Sequence, residues 1–226
     1  MAEGRRIDTS TLSAMDPRIA RSRRAIIDAA TTLFLNQGYP ATTMDDIAEV
    51  AGVSKRTVYN NFPDKEGLFR EVVLAVTSFV DEFINEAVRE LADAAEVELS
   101  LKDLAARLAS SVIGDGVVRL RRLIIGEAHR FPDLAADYYR RAPGRVIATL
   151  AIEFGELTQQ GRLHTPDPEL AAEQFAYLTI GAPLDRALFH SHDVGTDSDT
   201  LVATAIAGVT TFLAAYGPEA RGRRHT

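Results

Sequence analysis

The chain has 226 residues, a formal net charge of −7 and 46% hydrophobic residues, enough to fill one large core or two small ones. It contains no cysteine, which excludes a disulfide framework, thiolate zinc sites and a cysteine nucleophile, and which suits a reducing cytoplasm. The charge is uneven, +1 over residues 1–65 and −8 over 66–226, so an acidic chain keeps local basic clusters able to meet phosphates.

Residues 1–15 are polar, lack an apolar period and lack the hydrophobic run of a signal peptide; they read as a disordered arm. Asp16-Pro17 marks a helix start, and Ile26, Ile27, Ala30, Leu33 and Phe34 recur at helical spacing until Gly38. Thr43 and Asp46 have capping-box spacing, ahead of a two-turn apolar face made by Met44, Ile47, Ala48 and Ala51. Gly52-Val53-Ser54 breaks that helix and caps the next, in which Val58 and Phe62 point inward. The outward face of this short helix holds Arg56, Thr57 and Asn60, flanked by Lys55, Tyr59 and Asn61, without a carboxylate. Pro63 opens a long amphipathic helix that extends to Leu91, on the order of 40 Å at 1.5 Å per residue. Further helices are expected near 100–113, 117–130, 133–160, 167–190 and 198–216, with breaks at Pro143-Gly144 and near Pro183. No stretch alternates with period two, so the expected fold class is all-α, and the basic end 218–226 reads as a frayed tail.

Helix, glycine-containing turn and short polar helix form the helix-turn-helix pattern, whose second helix enters the major groove. Lys55 and Arg56 are suited to guanine O6 and N7, Asn60 to adenine N6 and N7, and Thr57 to a base edge or a thymine methyl. Thr43, Ser54, Tyr59, Asn61 and Lys65 lie around the rim and suit phosphate oxygens. A solvated helical hairpin is the bland alternative, although such a face normally mixes acids among its bases. The nearby Asp45, Asp46 and Glu49 require that the cations be placed with care.

Residues 23–74, with "LFLNQGYPATTMDDIAEVAGVS" and "AAGVSKRTVYNNFPDKEGLF" as the most telling stretches, resemble the N-terminal domain of the bacterial TetR family of transcriptional regulators. By position in that motif, the family's phosphate contacts fall on Thr43, Tyr59 and Lys65, and its base-reading positions on Lys55, Arg56, Thr57 and Asn60. The resemblance implies an all-helical homodimer of nine or ten helices per subunit: a helix-turn-helix domain over 16–65 joined by a long helix to a C-terminal domain over 66–217. It also implies a small-molecule effector pocket in that C-terminal domain and, most often, repression released by the ligand. The segment "LRRLIIGEAHRFPDLAADYYRRAP" is similar to one subgroup of TetR-type C-terminal domains, which implies architecture but not ligand. Candidate pocket residues are Phe79, Phe83, His129, Tyr138, Phe154, Phe175 and Tyr177; about half are expected to be plain core.

The 17-residue stretch 200–216 carries no charge and is diluted by Thr, Gly and Ala; it reads as a buried interface helix rather than a membrane span. With 168–190 it is expected to form a two-fold dimer interface through Phe175, Leu178, Leu184, Leu188, Leu201, Ile206, Val209, Phe212 and Leu213. Burial of the same residues within one subunit is the competing reading. No catalytic constellation, cofactor motif or metal-ligand cluster stands out. His190, His192 and Asp193 are close together but lack further ligands, and no P-loop, Gly-x-Gly-x-x-Gly turn or Gly-x-Ser-x-Gly elbow occurs. A cytoplasmic, non-enzymatic DNA-binding regulator without cofactor is therefore expected. The alternatives are a regulator without ligand gating (constitutive, architectural or activating) and, further off, a helical enzyme.

Overall fold

In a computed structural model, residues 17–190 and 197–218 are described, except for the side chains of Val76, Ser78, Phe79, Asp81 and Glu82. The expected arm over 1–15, the last eight residues and the His192-Asp193 pair lie outside them. Among the described residues every regular element is helical: α1 (Pro17–Ala41), α2 (Met44–Val50), α3 (Lys55–Asn61), α4 (Lys65–Ala92), α5 (Val97–Ile113), α6 (Asp115–Glu127), α7 (Pro132–Arg141), α8 (Pro143–Gln159), α9 (Pro168–Ala176), a π turn (Tyr177–Gly181), α10 (Ala182–Phe189) and α11 (Ser198–Tyr216). The chain divides into two compact units, Met1–Val72 and Val73–Thr226, the boundary falling inside α4. Sequence put the boundary at 65/66; Leu68, Phe69 and Val72, all fully buried or nearly so, extend the first unit into α4.

The first unit is built on a small core of Ile26, Ala30, Phe34, Ile47, Ala48, Val58 and Phe62. Phe34 meets Phe69 edge-on at 5.2 Å, and Tyr39 lies 4.9 Å from Phe69. Helix α1 is interrupted at Gly38, where φ is 81°. Helix α4 starts two residues after Pro63, because Asp64 is the better cap: its carboxylate accepts the Gly67 N–H at 2.7 Å.

In the second unit, Phe154, Phe175 and Phe212 pack in a triangle with centroids 5.2–5.6 Å apart, at the centre of a core that includes Leu101, Leu104, Leu150, Ala171, Ala205 and Val209. Helix α11 approaches the π turn so closely that a Cβ on Gly208 would lie 2.4 Å from the Leu178 carbonyl oxygen. The π turn answers Pro183, which has no N–H for the next i→i−4 bond; one extra residue in the turn takes up the mismatch, at the position where sequence expected a break. Pro143 starts α8 directly after α7, again as the sequence implies.

Long cations close helix C-termini in both units. Arg162 donates to the carbonyls of Ala92 and Ala94 after α4. Arg122 donates to those of Ala187, Leu188 and His190 at the end of α10. Lys65 does the same for α1, and these groups would otherwise lack partners.

Candidate nucleic-acid interface and internal cavity

The helix-turn-helix geometry follows from local sequence chemistry. Thr43 and Asp46 form the reciprocal capping box at the start of α2: the Thr43 oxygen accepts the Asp46 N–H at 3.1 Å, and the Asp46 carboxylate accepts both the Thr43 N–H and its hydroxyl. Gly52, at φ 65°, turns the chain through a conformation that a side chain would strain. Ser54 then caps α3 by accepting the Thr57 N–H at 3.1 Å, and its oxygen also shares a hydrogen bond with the Thr57 hydroxyl at 2.8 Å. Arg23 braces the far end of α3. Its guanidinium stacks 4.4 Å over Phe62, reaches the Asn61 carbonyl, and pairs with Glu71 at 2.7 Å.

On the outward face of α3, Arg56, Tyr59 and Asn60 are exposed and hydrogen-bond to none of the described residues. Lys55 is also exposed, but its ammonium pairs with Asp45 of α2 at 2.6 Å. That hydrogen bond, and then the Asp45 charge, raise the Lys55 pKa above its ordinary value, so the group stays cationic. The face therefore offers an arginine, a phenol and an amide as available donors, with a fourth donor held in reserve by a carboxylate. Such a set suits base edges and phosphates.

The second unit holds a partly open cavity of about 420 Å³, within the range of small-molecule sites. Its walls are mostly apolar: Val80 and Phe83 from α4, Leu108 and Val112 from α5, Val146 and Ile147 from α8, and Ile180 and Leu184 around the π turn. Tyr139 and Tyr177, both largely exposed, stand among the lining residues, whereas Tyr138 is buried. Burial raises the Tyr138 phenol above its usual pKa, and the charge and hydrogen bond of Arg121 offset part of that. Among the described residues no group of His, Asp or Glu is arranged to hold a metal ion.

Comparison with known proteins matches this architecture on both units. Residues 26–72 match the family described as "Bacterial regulatory proteins, tetR family", and residues 99–218 match "AefR-like transcriptional repressor, C-terminal domain". The chain belongs to the TetR family of transcriptional regulators. A putative TetR-family regulator from Mesorhizobium loti MAFF303099 is 40% identical, with a TM-score of 0.83 over 89% of this chain and all of that one. The flavonoid-responsive regulator FrrA is 32% identical over 88% of this chain and 98% of its own, with a TM-score of 0.64. The regulator TcmR of Streptomyces glaucescens is 33% identical over 146 residues, 61% of this chain; the match spans 62% of TcmR.

For this TetR-family chain, the structure sorts the residues expected from sequence. On the DNA side, Arg56, Tyr59 and Asn60 stand together and available, and Lys55 joins them through Asp45. Thr43, Ser54 and Thr57 are placed at the surface, but their hydroxyls serve caps. Asn61 folds back, its amide donating to the Thr57 carbonyl at 2.8 Å. Lys65 is engaged within the protein. Its ammonium donates to the carbonyls of Tyr39 at 2.9 Å and Thr42 at 2.8 Å and lies 4.3 Å over the Tyr39 ring, so it holds the α1–α2 connection.

In the cavity, Phe83, Tyr138 and Tyr177 line the wall as expected. Phe154 and Phe175 form the core triangle instead, because their neighbours are each other and Phe212. His129 is exposed away from the cavity, and the Phe79 side chain is outside the described residues. Sequence reasoning missed Arg121. The available signal was a cation inside the apolar stripe Val117, Leu120, Ile124 of α6. Among the expected interface residues, Phe175, Leu201, Val209 and Phe212 are buried in the protomer's own core, which removes them from any outer face. Leu178 is exposed, while Leu184, Leu188, Ile206 and Leu213 are half-buried. Helix α11 is long and apolar enough to span a membrane by length and composition, yet it packs by one face into this core.

Proposed function

We propose that this TetR-family regulator is a cytoplasmic homodimeric repressor that holds a pseudo-palindromic operator through α3 and leaves it when a small molecule enters the C-terminal cavity. The observation that carries the DNA-reading part is the row Arg56, Tyr59 and Asn60, exposed and without hydrogen bonds to described residues, on a helix where Thr57 and Asn61 are committed to its own fold and Lys55 to Asp45. The cavity supports ligand gating, and FrrA, similar over most of its length, is named for its response to flavonoids. Helix α4 contributes Val80 and Phe83 to the cavity wall, while its first residue, Lys65, holds the end of α1. A ligand that favours a different tilt of α4 would lower operator affinity only by its preference for that state.

Dimerisation is supported by the outer face of α11, where Ala203, Ala207, Thr210 and Ala214 form an exposed stripe of small residues flanked by half-buried Ile206 and Leu213. Two such stripes permit close approach about a two-fold axis, and two-fold symmetry presents a pair of recognition helices to two half-sites.

The test is a mobility-shift titration on the DNA upstream of the chain's own gene, with excess random competitor. The reading expects a discrete complex that survives competitor and that Arg56→Ala weakens. Smearing that disappears with salt would point to architectural binding, and no complex at low salt would refute DNA recognition by this face.

A further inference from the structure

Resting on the reading of the cavity as an effector site, we infer that its ligand is an amphipathic monoanion, an apolar body carrying one carboxylate that the Arg121 guanidinium and the Tyr138 hydroxyl receive. Arg121 is the one ionic side chain among the described residues that line the cavity. Its Nε–H is buried and has no hydrogen-bond partner. The guanidinium lies beside the Tyr138 phenol, and among the described residues no carboxylate pairs with it. A buried cationic donor left in this state is costly, and proteins retain one where a partner arrives later. Most of the rest of the wall is apolar. Val80, Leu108, Val112, Val146, Ile147 and Ile180 offer no hydrogen bonds, while Thr77, Ser111, Tyr139 and Tyr177 add a few polar groups, so the body of the ligand is mainly hydrocarbon. The space would hold about fourteen waters at ~30 Å³ each, which fits a body of medium-chain or two-ring size. A guanidinium, planar and always charged, binds a carboxylate through two parallel N–H bonds, for which Nε and one terminal nitrogen are the natural pair.

Arg122, the next residue, faces the other way and closes the C-terminus of α10 through three carbonyls. A ligand that draws Arg121 inward therefore acts on the same turn of α6 that secures α10. The anion and the outer helices are linked through one short stretch of backbone.

The experiment uses the full-length protein and the neutral fluorophore N-phenyl-1-naphthylamine as a cavity reporter. Decanoate and decan-1-ol, matched in chain length and differing in charge, compete for it. Decanoate should displace the reporter at a concentration lower by tenfold to a hundredfold than decanol, the order expected of a charge-assisted hydrogen bond. In Arg121→Met, with each competitor read against that variant's own reporter affinity, that gap should close, and Tyr138→Phe should narrow it in part. Arg121→Met should also melt at a higher temperature than wild type without ligand, since it removes the unpartnered cation, and should lose the decanoate-induced rise in Tm. Equal displacement by acid and alcohol in wild type would overturn the anion assignment and leave the cavity as a site for neutral ligands. An undiminished gap in a folded Arg121→Met would also overturn it. Failure of the reporter itself to bind would overturn the effector-site reading, and the anion assignment with it.

Discussion

At the scale of single residues, the helix-turn-helix surface separates the exposed groups proposed to read DNA from groups that hold the fold. Asn60→Ala should relax preference at one operator position and cost roughly 1–3 kcal/mol on the best site, with little change on random DNA. Competition between single-base operator variants would measure this, and equal losses on all sequences would remove Asn60 from the reading set. Lys65→Ala should behave differently. Because its ammonium holds the Tyr39 and Thr42 carbonyls, the loss should appear as about 1–3 kcal/mol of folding stability, with the salt slope of binding unchanged in protein that remains folded. A slope reduced by about one phosphate would return Lys65 to the DNA. Glu153 gives a pH prediction in the other unit. It is buried with Oε1 unpartnered, and burial, then the Glu156 charge, raise its carboxyl above the ordinary 4.5, against the pull of Arg162. The folded state then binds the proton more tightly than the unfolded one. Its contribution to stability is full below the ordinary value and is lost as pH rises through the raised one. Glu153→Gln should flatten that descent and add about 1 kcal/mol at neutral pH, as thermal melts across the weakly acidic range would show.

At the scale of elements, local signals were legible and long-range partners were not. The caps at Thr43 and Ser54, the break at Gly38, and the prolines at 143 and 183 each act within four residues, so their effect can be read from neighbours in the chain. Lys65 could not be read that way, because its acceptors lie 23 to 26 residues upstream and offer carbonyls common to every residue. The aromatics failed for a related reason. Phe83 and Phe154 both sit on apolar helix faces, and only the packing of α8, α9 and α11 decides that one borders space and the other fills it. Arg121 and Arg122 are neighbours in sequence, and the helical rotation between them sends one to the cavity and the other to α10. The uncharged helix α11 has two faces: Ala203, Ala207, Thr210 and Ala214 form the outer one, and Leu201, Ala205, Val209 and Phe212 the inner one. The close approach at Gly208 is testable here. Gly208→Ala would place a methyl 2.4 Å from the Leu178 oxygen and should cost about 1–3 kcal/mol as the π turn and α11 move apart, seen as a lower denaturant midpoint. An unchanged midpoint would mean that the two elements slide freely.

At the scale of the whole molecule, the proposed dimer turns two weak readings into one strong one, since the second half-site is engaged at the effective concentration set by the first. Ala207→Glu, on the exposed stripe of α11, should yield monomers in sedimentation and lower operator affinity by tenfold or more, while the helix-turn-helix unit stays folded. A dimer that persists would move the interface to another face. The commitment of Thr43, Ser54, Thr57, Asn61 and Lys65 to internal bonds has a thermodynamic reach beyond geometry. A surface already fixed by its own caps loses little freedom on docking, and chiefly the Arg56, Tyr59 and Asn60 side chains remain to be immobilised, at about 0.5–1.5 kcal/mol each. Calorimetry of operator binding should then register a small conformational entropy loss and a heat capacity change set by contact area, the signature of a rigid reader rather than one that folds onto its target.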